Sequence, residues 1–107
     1  MAYATTNPYT GETLKVFPDA TDQEVQAALD GAYDAYLAWR QTSFAERAKV
    51  MTAAATILRD NLDEYARVLT LEMGKLLAEA KAEVILSAEI FEYYAEHAER
   101  LLEAEAL

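Results

Sequence analysis

Between residues 21 and 64 the sequence repeats one arrangement: a short polar side chain, then glutamate three positions on. The instances are Thr21-Asp22-Gln23-Glu24, Ser43-Phe44-Ala45-Glu46 and Asn61-Leu62-Asp63-Glu64. In the threonine and serine cases this is a capping box, in which the cap oxygen accepts from the third helical N–H and the glutamate accepts from the cap's own N–H. The asparagine case is a close variant. Each start is followed by apolar residues spaced three and four apart, so the chain must fold as consecutive amphipathic helices.

The first helix, about 22–40, aligns Val25, Leu29, Ala32, Tyr36 and Trp39 on one stripe. The second, about 44–59, turns Val50, Met51, Ala54, Ile57 and Leu58 inward, and Arg59-Asp60-Asn61 interrupts the pattern. The third, about 62–73, uses Leu62, Tyr65, Ala66, Leu69 and Met73, with Gly74 where a left-handed C-cap is expected. If Asn61 is no break, the second and third helices merge into one bent helix. The last helix runs from about Leu76 to beyond Leu101, along a seam of Leu77, Ala80, Val84, Ala88, Phe91, Ala95, Ala98 and Leu102 flanked by Ile90, Tyr94 and Leu101. Glu103 to Leu107 is still helix-compatible and carries no stop signal, as expected of a segment cut from something longer.

Ahead of the helices, residues 3–17 change character. Thr recurs, with Val16, among aromatics, and Asn7-Pro8 and Thr10-Gly11 supply turn chemistry. Short strands are expected at about 3–6 and 13–17, ended by Pro18. A two-stranded ribbon is marginal alone and needs a sheet or helices beside it. The expected fold class is therefore mainly α, a short N-terminal β-ribbon (1–20) followed by three or four helices (21–107) in a single segment. With 53% apolar residues, many of them alanine, close helix packing is expected rather than a thick core.

Charge and composition exclude several functions. A formal net charge of −10 repels phosphate backbones and anionic lipid, so neither nucleic acid nor membrane is an expected partner. There is no cysteine, hence no disulfide, thiolate metal site or cysteine nucleophile, which fits a cytoplasmic protein. No window is apolar enough for a membrane span. The glycines lie too far apart to cradle a phosphate.

The candidate chemistry is thin. Glu89, Glu92, Glu96, Glu99 and Glu103 form an acidic row on the last helix, but a carboxylate bundle site pairs glutamate with a histidine three residues later, and Tyr94 occupies that place before His97. The row reads as a solvated face, its repulsion partly offset by Arg100 against Glu96 and Glu103; a face for a basic partner surface is the alternative. His97 lacks an orienting partner and a nucleophile, and is expected on partly exposed helix surface. The tyrosines Tyr33, Tyr36, Tyr65, Tyr93 and Tyr94, with Trp39, recur at helical spacing, which suits core and interface use.

One set of motifs in order is more specific. Asn7-Pro8-Tyr9-Thr10-Gly11-Glu12, Ala38-Trp39-Arg40, Ala45-Glu46-Arg47-Ala48, Leu69-Thr70-Leu71-Glu72-Met73-Gly74-Lys75 with Glu79-Ala80 and Glu83-Val84, and Tyr93-Tyr94-Ala95 follow one another. In that order they resemble the opening section of an NAD(P)-dependent aldehyde dehydrogenase, of the succinate-semialdehyde dehydrogenase-like kind. The resemblance covers essentially the whole chain but a small N-terminal part of the family's length. It implies a fragment of the family's α/β fold that packs on a dinucleotide-binding domain, with no complete dinucleotide-binding or catalytic domain of its own.

The family's reaction uses a cysteine nucleophile, hydride transfer to nicotinamide and a glutamate-activated water, and none of those segments is here. The resemblance thus implies a parent enzyme that oxidises a small aldehyde with NAD or NADP, no catalytic or cofactor-binding residue in this segment, and a chain inactive alone. Its partners are the remainder of the parent or further copies, in a homo-oligomer. It also implies a monovalent-cation site, as some members have, falling on the backbone oxygens of Thr5 and Thr6 and the carboxylate of Glu83, where aspartate is the family's expected residue. The alternative reading is a self-associating helical assembly module without enzymatic activity.

Overall fold

The computed structural model describes residues 3–105 and orders them as two strands followed by four helices. Two compact units result, Met1–Thr42 and Ser43–Leu107.

In the first unit, β1 (Tyr3–Thr6) and β2 (Thr13–Phe17) pair antiparallel, with Tyr3 opposite Phe17, Ala4 opposite Val16 and Thr5 opposite Lys15. The register slips between Thr5 and Thr6, so Thr6 faces Thr13. The turn follows from its residues. The Asn7 side chain accepts from the Tyr9 N–H at 2.9 Å, the Gly11 N–H donates to the Asn7 carbonyl at 2.8 Å, and Gly11 adopts φ 73°. That left-handed backbone is one glycine takes without a Cβ clash. β2 ends at Phe17, immediately before Pro18 as expected.

The helix α1 (Asp22–Trp39) begins at a complete capping box: the Glu24 N–H donates to Thr21 Oγ1 at 3.2 Å, and the Thr21 N–H donates to Glu24 Oε2 at 2.8 Å. None of its residues is buried. Within its unit it packs on neither strand.

The second unit holds α2 (Phe44–Asp60), α3 (Leu62–Met73) and α4 (Leu77–Leu101). Ser43 and Glu46 form the second capping box with the same geometry. Asn61 departs from the expected pattern. It makes no side-chain bond to the start of α3, and its amide donates back to the Ile57 carbonyl at 2.9 Å. Asn61 is at once the C-cap of α2 and the N-cap of α3, and its side chain serves the helix it ends. Its backbone (φ −109°, ψ 26°) leaves the helical region, so α2 and α3 are separate elements and not one bent helix. Gly74, at φ 71°, closes α3 as the left-handed cap, its N–H donating to the Thr70 carbonyl at 3.0 Å. The last helix stops at Leu101, with Leu102 as its cap, and does not run on through Glu103.

Both α2 and α3 pack on α4, whose long face forms the common wall. The buried core is Ala55, Ala66, Ala80, Val84 and Ala88, and no large side chain is fully buried. Alanine at these positions brings backbones close and buries little area per residue, so α4 is held by proximity along its length more than by bulky knobs. The seam of α4 is as read through Ala80, Val84 and Ala88, but its ends are open, with Leu77 at 48% and Leu102 at 70% exposure. On α2 Met51, Ala54 and Leu58 are half-buried on the inward face as expected, but Val50 and Ile57 are exposed and Ala55 is the residue at 0%. The alanine-rich stretch Thr52–Thr56 offers several apolar stripes to choose between, and the close approach to α4 selects the smallest side chain. On α3, Met73 likewise points to water.

Candidate functional site

Among the described residues, three ion pairs link neighbouring parts of the second unit at its surface. Arg59 on α2 reaches Glu92 on α4 with two parallel bonds, Nε to Oε1 at 3.0 Å and Nη2 to Oε2 at 2.8 Å. This fork geometry fixes direction as well as charge. The hydrogen bond from Arg59 and its positive charge hold the Glu92 carboxyl below the usual carboxylate range, and the same bond raises the Arg59 guanidinium. Lys81 on α4 pairs with Asp63 on α3 at 2.6 Å, and Lys75, between α3 and α4, pairs with Glu83.

Pairs separated by this much sequence were not visible beforehand. Glu92 belonged to the acidic row, but it faces α2 and is neutralised there. Arg100, expected to offset Glu96 and Glu103, makes no ion pair with either among the described residues. His97 is half-buried and stacks edge-on against Tyr93, ring centroids 4.5 Å apart, with Tyr93 in turn edge-on to Tyr94 at 5.3 Å. These three rings make an aromatic step on α4, and among the described residues the imidazole makes no ion pair with a carboxylate.

The residues expected for a monovalent cation lie in different units: Thr5 and Thr6 at the register slip of β1, Glu83 in the second turn of α4. The Glu83 carboxylate already carries a counter-charge, the Lys75 ammonium, and a metal cation there would have to displace it. No group of three or more acidic, histidine or cysteine side chains that could hold a metal exists among the described residues.

An open groove of about 290 Å³ in the second unit is lined by Leu58 of α2, Tyr65, Val68 and Leu69 of α3, and Glu83, Val84 and Ser87 of α4. Its wall is almost wholly apolar, and Ser87 donates back to the Glu83 carbonyl at 2.9 Å. A groove of that kind can seat apolar side chains. It offers no acid, base and nucleophile in mutual reach, so the chemistry it supports is packing.

The profile of the aldehyde dehydrogenase family matches residues 1–107. Succinate-semialdehyde dehydrogenase [NADP(+)] 1 of Mycobacterium tuberculosis is 53% identical over 102 residues, a match covering 95% of this chain and 22% of that protein. The Deinococcus radiodurans succinate-semialdehyde dehydrogenase [NADP(+)] is 47% identical over 105 residues, again 22% of its length. Among solved structures, succinic semialdehyde dehydrogenase from Streptococcus pyogenes, in complex with NADP+, superposes on 99% of the chain with a TM-score of 0.91 and 41% identity, using 24% of that chain. Succinate-semialdehyde dehydrogenase from Burkholderia pseudomallei superposes on 100% of the chain with a TM-score of 0.87 and 33% identity, using 22% of that chain. The chain therefore spans about a fifth of the length of the relatives it matches. The match runs from the ribbon through the helical unit, and the chain belongs to the aldehyde dehydrogenase family.

Proposed function

We propose that this chain is the N-terminal scaffold of a cytoplasmic, NADP-dependent succinate-semialdehyde dehydrogenase that works as a homo-oligomer. The observation that carries the reading is the match across nearly the whole chain to succinate-semialdehyde dehydrogenases at about half identity, with the same backbone in a solved relative. In the whole reaction the aldehyde and a water become the carboxylate, a hydride passes to NADP+, and two protons leave. The residues described here supply position to that reaction. The wall of α4 and its ion pairs to α2 and α3 fix a rigid helical block, and its open apolar faces suit the remainder of the enzyme. No helix here is long and apolar enough to cross a membrane.

The test is a direct one. The 107-residue chain with succinate semialdehyde and NADP+ should give no rise in NADPH absorbance, whereas a full-length protein carrying this segment should give one, larger with NADP+ than with NAD+. Turnover by the chain alone, or a full-length protein inactive on semialdehydes, would overturn the assignment. The cation set Thr5, Thr6 and Glu83 remains an implication of the family resemblance. A thermal shift in potassium or sodium chloride that Glu83→Gln leaves unchanged would remove it.

A further inference from the structure

We propose that the Lys75 ammonium is the resident counter-ion of Glu83, standing at that carboxylate in place of a monovalent metal cation and closing the corner between α3 and α4 without one. The starting observation is the ion pair itself. Lys75 Nζ donates to Glu83 Oε2 from outside the helix to its second turn, with the two side chains 37% and 44% exposed.

The backbone delivers the lysine there. Gly74 turns the chain at φ 71°, and Leu76 (φ −61°, ψ 136°) opens α4, its carbonyl accepting from the Ala80 N–H at 2.9 Å. Lys75 is thus held between a left-handed cap and a helix start. Nothing else about that place favours a cation, since it adjoins the positive end of the α4 dipole. Glu79, in the first turn, makes no ion pair among the described residues, and the lysine passes it to reach Glu83. Lys81, the lysine within α4, is taken by Asp63 of α3. Glu79 and Glu83 stand four apart on one helix face and repel, which the Lys75 charge offsets.

The donor set decides between an ammonium and a metal. An ammonium needs a single protein acceptor for a charge-assisted hydrogen bond and keeps two donors for water. A hard metal cation needs oxygen ligands on every side. Glu83 supplies one carboxylate, and the Ser87 hydroxyl, one turn on, donates to the Glu83 backbone carbonyl at 2.9 Å. Thr5 and Thr6, the other residues of the implied cation set, belong to the first unit. Among the described residues no group of three or more acidic, histidine or cysteine side chains gathers at Glu83 or elsewhere. One carboxylate satisfies the ammonium and leaves the metal short of ligands.

The pairing also bears on the groove beside it, because Glu83 is part of that apolar wall. With its charge matched by Lys75, covering the groove does not bury an unmatched carboxylate.

Urea denaturation of the 107-residue chain, followed by circular dichroism in potassium, sodium and choline chloride, tests the proposal. Each salt is used at about 0.1 M, where a contact pair lies well inside the screening length of about 10 Å. The parent midpoint should be the same in all three. Lys75→Met should lower the folding equilibrium constant about threefold and Glu83→Gln by about as much. The double variant should fall no further than either single, whereas independent side chains would multiply to about ninefold. Lys75→Arg keeps the charge and should stay within about twofold of the parent. A midpoint higher in potassium or sodium than in choline, with the difference abolished by Glu83→Gln, would overturn the proposal by putting a metal at this carboxylate. A ninefold loss in the double variant would overturn it by showing that the two side chains act separately. The readout is folding, so either outcome is independent of the enzyme assignment.

Discussion

The helices α1 and α4 carry the same kind of apolar stripe, and only α4 buries it. In the second unit Ala80, Val84 and Ala88 are buried where α2 and α3 pack on α4, whereas in α1, with a complete capping box and larger apolar residues, no residue is buried. The difference lies in what the chain supplies to lie against each face. Periodicity states that a helix has a face to cover; the covering element is a separate question, answered for α4 by the short connections at Asn61 and Gly74 that fold neighbours back on it. The matched relatives are more than four times as long as this chain, which is where partners for the other exposed faces are to be sought.

The sharpest way to break the contrast is to place a charge on each face. Val84→Asp puts a carboxylate at a position 5% exposed with no cation provided for it, and should cost about 3–5 kcal/mol, enough to unfold the second unit. The matching change Leu29→Asp, on a residue 60% exposed, should change the folding free energy by less than about 0.5 kcal/mol. Urea denaturation followed by circular dichroism reads the first. Fluorescence of Trp39, the single tryptophan, reads the second from within α1 itself. Equal effects would mean that α1 is as covered as α4.

Volume gives the next largest effect. Ala88 has no accessible surface, so Ala88→Leu forces α4 away from its neighbours and should cost about 1–3 kcal/mol. Ala35→Leu on exposed α1 should be tolerated within about 0.5 kcal/mol. Comparison of urea midpoints at unchanged slope measures both.

These contrasts also mark how far the sequence could be read. Strand and helix bounds came within a residue or two because their signals are local: Thr21 and Ser43 with their glutamates, Gly74 with its positive φ, Pro18 after Phe17. The inner face of α2 was read only in part, with Met51, Ala54 and Leu58 half-buried but Val50 and Ile57 exposed, because Ala53, Ala54 and Ala55 are equally apolar and only the distance to α4 decides between them. Asn61 was misread because one amide had two helices to serve. Arg59–Glu92 could not be foreseen, since 33 residues of chain separate the partners and nothing local marks them. As for a site, motif order carried the family, while no residue constellation carried a reaction. What the described residues do offer is an apolar groove and ion pairs between elements, both made by folding and neither marked locally in the sequence.

Caps come next in size. Ser43→Ala removes an acceptor for the Glu46 N–H and should cost about 1 kcal/mol, read as a lower denaturation midpoint because α2 is packed on α4. Thr21→Ala removes the same bond from α1, where no buried residue couples the first turn to a cooperative core. The loss should appear there as reduced helix signal with little change in midpoint. A cooperative shift from Thr21→Ala would show that α1 is supported by packing after all.

Acid should separate the two units by the smallest margin. Backbone and side-chain hydrogen bonds from Thr21 hold the Glu24 carboxyl below its ordinary value of 4.5, and those from Ser43 do the same for Glu46. A carboxyl lowered in the folded state contributes stability that is fully present above pH 4.5 and is lost as pH falls through its folded value. Helix content should therefore decline below pH 4.5 and hold steady above it. In α1 the protonated cap frays the helix directly, so tryptophan fluorescence should respond first. In α2 the packing on α4 retains the first turn until Glu92 also protonates and releases Arg59. Glu24→Gln should flatten the early fluorescence change and leave the later circular-dichroism change in place; a single transition common to both probes, unaffected by Glu24→Gln, would erase the distinction between the two helices.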